Sequence, residues 1–259
     1  MSRTMVVTGA ASGIGKATAE LLRERGDTVI GVDLAGSDVS VDLTTAEGRS
    51  TLVEKVTELS GGTIDGILAI AGLAAPIPAT IGVNYFGMVA TFDGLAPLLA
   101  GSAAPRAVGV ASMASLMPVD DELVAAMAAG DEAAALARAE VLAADPETGN
   151  LIYSSSKKAF AQWIRREAPS ATWAGAGVPL NAIAPGVIVT PMTAPLLETE
   201  EGREAIRSGV PMPLNGFAEA IVPARLLAWL ASEENSHLCG QVVFIDGGSD
   251  AVIRGDGTW

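Results

Sequence analysis

The chain has 259 residues, 49% of them apolar, with 29 glycines, one cysteine, one histidine and a formal net charge of −14. That charge argues against a nucleic-acid partner, and the lone Cys239 rules out an internal disulfide and points to a reducing cytoplasm. No uninterrupted apolar run reaches the ~18 residues of a membrane span, and Met1 leads almost directly into an apolar strand, so neither a membrane segment nor a signal peptide is expected.

The β-branched run Thr4–Thr8 ends in glycines and reads as a buried strand. Helical periodicity runs from Ile14 to Arg25 and stops at Gly26. Thr28–Val32 is a second strand, ending at Asp33, and Thr44 or Thr45 caps a helix that runs to about Leu59, with Glu47 in its first turn. Gly61 and Gly62 break that helix, and Ile64–Ile70 forms a third strand. This alternation predicts a parallel sheet covered on both faces, with right-handed crossovers.

Further on come a helix over Ile81–Leu99 and a strand over Ala107–Ala111. Between Met113 and Asn150 the texture changes to Ala, Glu and Asp, with helical stretches near Asp120–Ala129 and Asp131–Ala143. Helix Leu151–Glu167 and strand Pro179–Ala184 resume the alternation. The stretch Pro191–Pro213 is irregular and rich in Pro and Met, with one short helix near Glu200–Ser208. Helix Phe217–Ala231 and strand Gln241–Ile245 close the pattern. There is no repeat and no linker. The expectation is an α/β fold: one doubly wound parallel sheet, a single domain over 1–259, a helical insertion at 113–150 and a substrate lid at 191–213.

Thr8-Gly9-Ala10-Ala11-Ser12-Gly13-Ile14-Gly15 lies between the first strand and the first helix, the context that gives a glycine motif meaning. Gly9 allows the tight turn, Gly13 lets a pyrophosphate approach the backbone, and Gly15 lets helix and strand pack closely. The helix N-terminus offers free N–H groups to phosphate. Asp33, ending the second strand, can accept bonds from both hydroxyls of an adenine ribose and repels a 2′-phosphate, which selects NAD(H) over NADP(H).

Tyr153 and Lys157 lie four residues apart at the start of a helix, hence one turn apart on one face. A phenol titrates near ~10. A cation ~4 Å away at an effective dielectric of ~20 supplies roughly 4 kcal/mol, enough to lower it by about three units. Lys157, helped by a positively charged nicotinamide, is therefore expected to turn Tyr153 into a general acid/base.

Together Thr8-Gly9-x-x-x-Gly13-x-Gly15, Asn84, Ser112, Tyr153-x-x-x-Lys157 and Pro185-Gly186-x-x-x-Thr190 resemble the short-chain dehydrogenase/reductase family, over essentially the whole chain. Asp42-Leu43-x-Thr45-Ala46-Glu47-Gly48-Arg49, Val83-Asn84-Tyr85-Phe86-Gly87, Gly149-Asn150-Leu151 and Ile245-Asp246-Gly247-Gly248 look like its bacterial hydroxysteroid dehydrogenase/carbonyl reductase branch. The resemblance implies a Rossmann fold binding NAD and a reaction between a secondary alcohol and its ketone. Tyr153 is then the acid/base, Lys157 its modulator, Ser112 the holder of the substrate oxygen, and Asn84 the site of a local helix kink and a water relay. Cofactor contacts are implied for Gly9, Ser12, Gly13, Ile14, Gly15, Asp33, Leu34, Asp42, Leu43, Ala71, Gly72, Tyr153, Lys157, Pro185, Gly186, Ile188 and Thr190. Where the family often has Asn-Asn-Ala-Gly, this chain has Ala69-Ile70-Ala71-Gly72, so some turn hydrogen bonds must come from elsewhere.

Met113, Leu116, Met117, Met192, Leu196, Leu197 and Met212 are uncharged and expected to line an apolar pocket suited to a bulky hydrophobic alcohol or ketone, such as a 3α-hydroxysteroid or an aryl or alicyclic alcohol. The alternative of a cofactor-sensing regulator on an inactive fold is disfavoured because such proteins usually lose the Tyr or Lys and here all four catalytic positions are filled, and an enoyl reductase typically spaces its Tyr and Lys more widely. In the resembling branch the insertion blocks one of two assembly faces, which leaves a homodimer through the helix from Phe217 and the strand from Gln241. His237 and Cys239 read as loop and packing residues, Trp163, Trp173 and Trp229 as helix packing, and no cluster has metal-ligand spacing.

Overall fold

The computed structural model describes residues 2–258; Met1, expected to lead into the first strand, and Trp259 lie outside the described residues. The β-branched and apolar runs form the strands they predict. In chain order the first elements are β1 (Thr4–Thr8), α1 (Gly13–Glu24), β2 (Thr28–Asp33), β3 (Val39–Ser40), α2 (Ala46–Ser60) and β4 (Gly66–Ala69). Thr45, not Thr44, caps α2: its hydroxyl accepts from Gly48 N at 2.9 Å. The left-handed Gly61 ends that helix.

The helix expected over 81–99 is broken. It comprises α3 (Ala79–Ile81), a π-helical stretch at Gly82–Gly87, α4 (Met88–Leu95) and a 3₁₀ stretch at Ala96–Gly101. The wide turn surrounds Asn84, whose amide is spent on a neighbouring loop, and apolar periodicity carries no signal for such a bulge. Then follow β5 (Arg106–Val110), a 3₁₀ turn at Met113–Leu116, α5 (Asp121–Ala128), α6 (Glu132–Ala143) and α7 (Leu151–Glu167).

The last part holds β6 (Leu180–Pro185), β7 (Ile188–Val189), α8 (Ala194–Leu197), α9 (Glu200–Gly209), β8 (Ala218–Glu219), α10 (Ile221–Leu230), β9 (Val242–Ile245) and α11 (Ser249–Arg254). Three expectations are corrected here. The stretch 191–213 holds two helices, the second capped by the Thr199 hydroxyl accepting from Gly202 N at 3.0 Å. The helix expected from Phe217 begins at Ile221, because Ala218 and Glu219 pair with Ile188 and Val189. Trp163 and Trp173 are buried, in an aromatic cluster with Phe92 and Phe160, whereas Trp229 remains 40% exposed on α10.

Seven strands pair in the order β3-β2-β1-β4-β5-β6-β9, every pairing parallel, with β7 and β8 as a separate pair. Helices α1 and α10 pack against each other, and α2 packs on α4. The strands between these layers are almost wholly buried, as their uninterrupted Val, Ile and Ala runs require. From β1 the chain moves outward to β3, then returns past β1 to β4. The loops leaving β1 and β4 therefore diverge, and a crevice opens at the carboxyl ends of the strands.

Candidate active site

The glycine turn forms one wall of that crevice. Gly9 has φ of 71°, and a Cβ there would stand 3.0 Å from Ala71 Cα. A Cβ on Gly15 would fall 2.0 Å from the Gly9 carbonyl oxygen, so no other residue lets α1 close onto the turn. Ser12 precedes α1 without capping it, and the first turn carries no acid. The N–H groups at the start of α1 thus keep their hydrogen-bonding capacity and partial positive charge.

Asp33 is tied to the turn from the other side: Oδ2 accepts from Ala11 N at 2.9 Å and Oδ1 from Leu34 N at 2.7 Å. Thr8 supplies what the missing asparagines do not. Its Oγ1 accepts from both Ile70 N and Ala71 N, at 2.9 and 3.0 Å, and sets the turn after β4. Asp42 Oδ1 accepts from the Thr44 hydroxyl and amide at 2.7 and 2.9 Å. Those bonds, helped weakly by the Arg49 charge, hold its carboxyl below the usual carboxylate range.

At the opposite wall α7 brings Tyr153 and Lys157 onto one face. Lys157 is buried, and its Nζ donates to the Val110 carbonyl at 2.9 Å. Burial without a carboxylate partner lowers its pKa from 10.5 to about 7. Desolvation pushes the Tyr153 phenol up, opposed by the nearby Ser112 hydroxyl. The sequence expectation that Lys157 lowers the phenol includes the positive charge of a bound nicotinamide; in the protein alone, desolvation is the larger influence on both groups.

Ser112 ends the β5 loop and opens a 3₁₀ turn, where its Oγ accepts from Ala114 N at 3.1 Å. Its own O–H proton stays available to donate. Asn84 is fully buried and does not line the cavity. Its Oδ1 accepts from Leu73 N at 2.8 Å, and its Nδ2 donates to Leu73 O and Ser156 Oγ at 2.9 and 3.1 Å. It therefore fixes the backbone after Gly72 beside Lys157: a Cβ on Gly72 would stand 3.3 Å from Asn84 Oδ1 and 3.6 Å from Lys157 Nζ.

One cavity of about 480 Å³ joins the two walls. Gly9, Ser12, Gly13, Ile14, Gly15, Asp33, Leu34, Asp42, Leu43, Ala71, Gly72, Pro185, Gly186, Ile188 and Thr190 all line it, together with Ser112, Tyr153 and Lys157. Of the expected substrate residues it takes only Met192, flanked by Pro191 and Thr193. Met113 is buried in its 3₁₀ turn, Leu116 and Met117 are half-buried elsewhere, and Leu196 is 54% exposed. Leu197 is buried, and Met212 packs under the Gly186 turn, its Sδ accepting from Val187 N at 3.3 Å. Sequence reasoning missed Val83, Leu73 and Thr193. Val83 reaches the cavity because it sits on the π-helical stretch, and Thr193 was legible only as one polar residue in an irregular segment. Among the described residues no three His, Cys, Asp or Glu side chains gather as a metal site.

Two family models match the chain, one described as short chain dehydrogenase over residues 3–130 and one as enoyl-(acyl carrier protein) reductase over residues 106–250. The 3-alpha-hydroxysteroid dehydrogenase/carbonyl reductase of Comamonas testosteroni is 38% identical, over 96% of this chain and 97% of its own. A cis-4-hydroxycyclohexanecarboxylate dehydrogenase of Sinomonas cyclohexanicum is 30% identical over 96% and 97%. The crystal structure of the 3-alpha-hydroxysteroid dehydrogenase from Pseudomonas sp. B-0831, complexed with NADH, superposes with a TM-score of 0.89 at 39% identity, covering 98% of this chain and 99% of that one.

Proposed function

The chain belongs to the short-chain dehydrogenase/reductase family, and on that premise we propose that it is an NAD(H)-dependent oxidoreductase interconverting a hydrophobic secondary alcohol and its ketone, as 3α-hydroxysteroid dehydrogenase/carbonyl reductases do. The observation that carries the proposal is that Ser112, Tyr153 and Lys157 open into the same cavity as the glycine turn and Asp33.

The residues fit a dinucleotide. The uncapped start of α1 and the bare backbone of Gly13 suit the pyrophosphate, and the Asp33 carboxylate suits the adenine-ribose hydroxyls. Among the described residues Lys157 is the only basic one lining the cavity, and it sits at the catalytic wall, away from Asp33, where a 2′-phosphate would need a cation. When bound, the nicotinamide supplies or accepts the hydride. The chain's own groups handle the proton and the oxygen. Ser112 donates its free O–H to the substrate oxygen. Tyr153 gives its proton to that oxygen in reduction and takes it back in oxidation. Lys157, poised about pH 7, exchanges a proton beside it. Pro191, Met192 and Thr193 supply the mouth at this end, and none of them pairs with a charged substrate.

The same reading takes the protein to be a cytoplasmic homodimer, with 113–150 as an insertion in a single domain and 191–213 as a lid. Support for the dimer is the edge strand β9, whose four apolar residues are only half-buried, and the exposed Val222 and Trp229 on α10. The test is NADH oxidation with a panel of steroid ketones, aryl and alicyclic ketones, enones and sugars. Turnover of bulky ketones is expected, and faster turnover of sugars or enones would sink the substrate assignment.

A further inference from the structure

The loop Asp42–Thr45 lines the cavity beyond Asp33, and it is packed without slack. A Cβ on Gly48 would meet the Asp42 carbonyl oxygen at 1.9 Å, and one on Gly87 would meet Leu43 Cβ and its carbonyl at 3.0 Å. The loop is thus wedged between the first turn of α2 and the end of the π-helical stretch. One side chain spans that wedge. Arg49 Nε donates to the Leu43 carbonyl at 2.8 Å, and its Nη2 reaches the Thr44 and Gly82 carbonyls, both at 3.3 Å. The guanidinium also lies 5.9 Å from the centre of the Phe86 ring.

The two 3.3 Å bonds are long, and what holds the guanidinium plane in place comes from elsewhere in the chain. Glu132, in the first turn of α6, takes both ends of the fork: Nη1 to Oε2 at 2.8 Å and Nη2 to Oε1 at 2.7 Å. The Arg49 side chain is only 12% exposed and that of Glu132 33%, so solvent screens the pair only in part. A planar fork gripped at both ends fixes direction as well as distance, which a lysine cannot do.

We propose that Arg49 and Glu132 are positioning residues through which helix α6 sets the Leu43–Thr44 backbone, and with it the affinity for the adenine half of the cofactor. This rests on the NAD(H) reading of the cavity. Neither residue lines the cavity, so both act through the loop.

The test uses Glu132→Gln, which keeps size and hydrogen bonding but removes the charge, and Arg49→Lys, which keeps the charge but removes the fork. A partly screened pair implies that NADH Kd, read by fluorescence titration, and KM for NADH rise about 3- to 10-fold in each variant, with kcat at saturating NADH unchanged within about 2-fold. In the protein without added cofactor, amide hydrogen exchange across residues 43–48 should quicken. Unchanged exchange in that segment, or a kcat that falls as far as kcat/KM, would overturn the proposal, as would a lower Tm with no change in Kd. If the wild type bound no NADH, the functional reading would fall instead, and the exchange measurement would still decide whether Glu132 holds the loop.

Discussion

Lys157 lies one helical turn beyond Tyr153, yet its nitrogen donates to the Val110 carbonyl and stands 5.8 Å from the centre of the phenol ring. Burial acts on both groups, lowering the amine to about 7 and raising the phenol. The Ser112 hydroxyl faces the phenol and opposes that rise. The pair therefore rests as a neutral phenol beside an amine that titrates near neutrality.

Removing the phenol should stop the proton transfer without disturbing packing. Tyr153→Phe is expected to lower kcat for ketone reduction by about 10²- to 10⁴-fold, with NADH Kd unchanged within about 2-fold. Retention of more than about a tenth of the wild-type rate would remove Tyr153 from the role.

Lys157 should cost stability at neutral pH. Its amine titrates near 10.5 when free and at about 7 when folded. Between those values the unfolded chain binds the extra proton, so this group's contribution to stability rises with pH, and the penalty is complete below about pH 7. At ~1.4 kcal/mol per unit the penalty reaches at most ~5 kcal/mol, reduced by the lost bond to Val110. Lys157→Met should melt several degrees higher than wild type at pH 7, with the gap closing toward pH 10, while activity is lost. A variant that melts lower at pH 7 would contradict this.

Asp33 does two jobs, and one substitution should expose both. Asp33→Ala removes the carboxylate that disfavours a 2′-phosphate, so the preference for NADH over NADPH should narrow by at least about 10-fold in kcat/KM. It also frees the amides of Ala11 and Leu34, so NADH itself should bind more weakly. Wild-type kinetics that favour NADPH would overturn the assignment.

Thr8 tests the substitute for the missing asparagines. Thr8→Val keeps the shape but strands the buried N–H of Ile70 and the part-buried N–H of Ala71, at a cost of about 1–3 kcal/mol for the buried one. The melting temperature should fall by several degrees, and KM for NADH should rise, because Ala71 lines the cavity. Equal stability of the variant and wild type would show that the turn is held by other means.

Assembly is checked by light scattering at micromolar concentration, where a dimer is expected and a tetramer would contradict the reading. Trp229→Glu, at an exposed position of α10, should shift the dimer toward monomer.

Much of this protein is local information. Thr4–Thr8 and Leu151–Glu167 appear with the bounds their periodicity predicts, and the glycine turn and Asp33, which local spacing pairs, line one cavity. What local sequence does not carry is how far each group ends up from water and what lies against it. Only the tertiary structure turned Met113 into the core while leaving Met192 at the mouth, and gripped Arg49 with a glutamate more than eighty residues away. It also set the desolvation that acts on Lys157 and Tyr153. Spacing along a helix sets which residues share a face, but the dielectric they share depends on every element that packs over them.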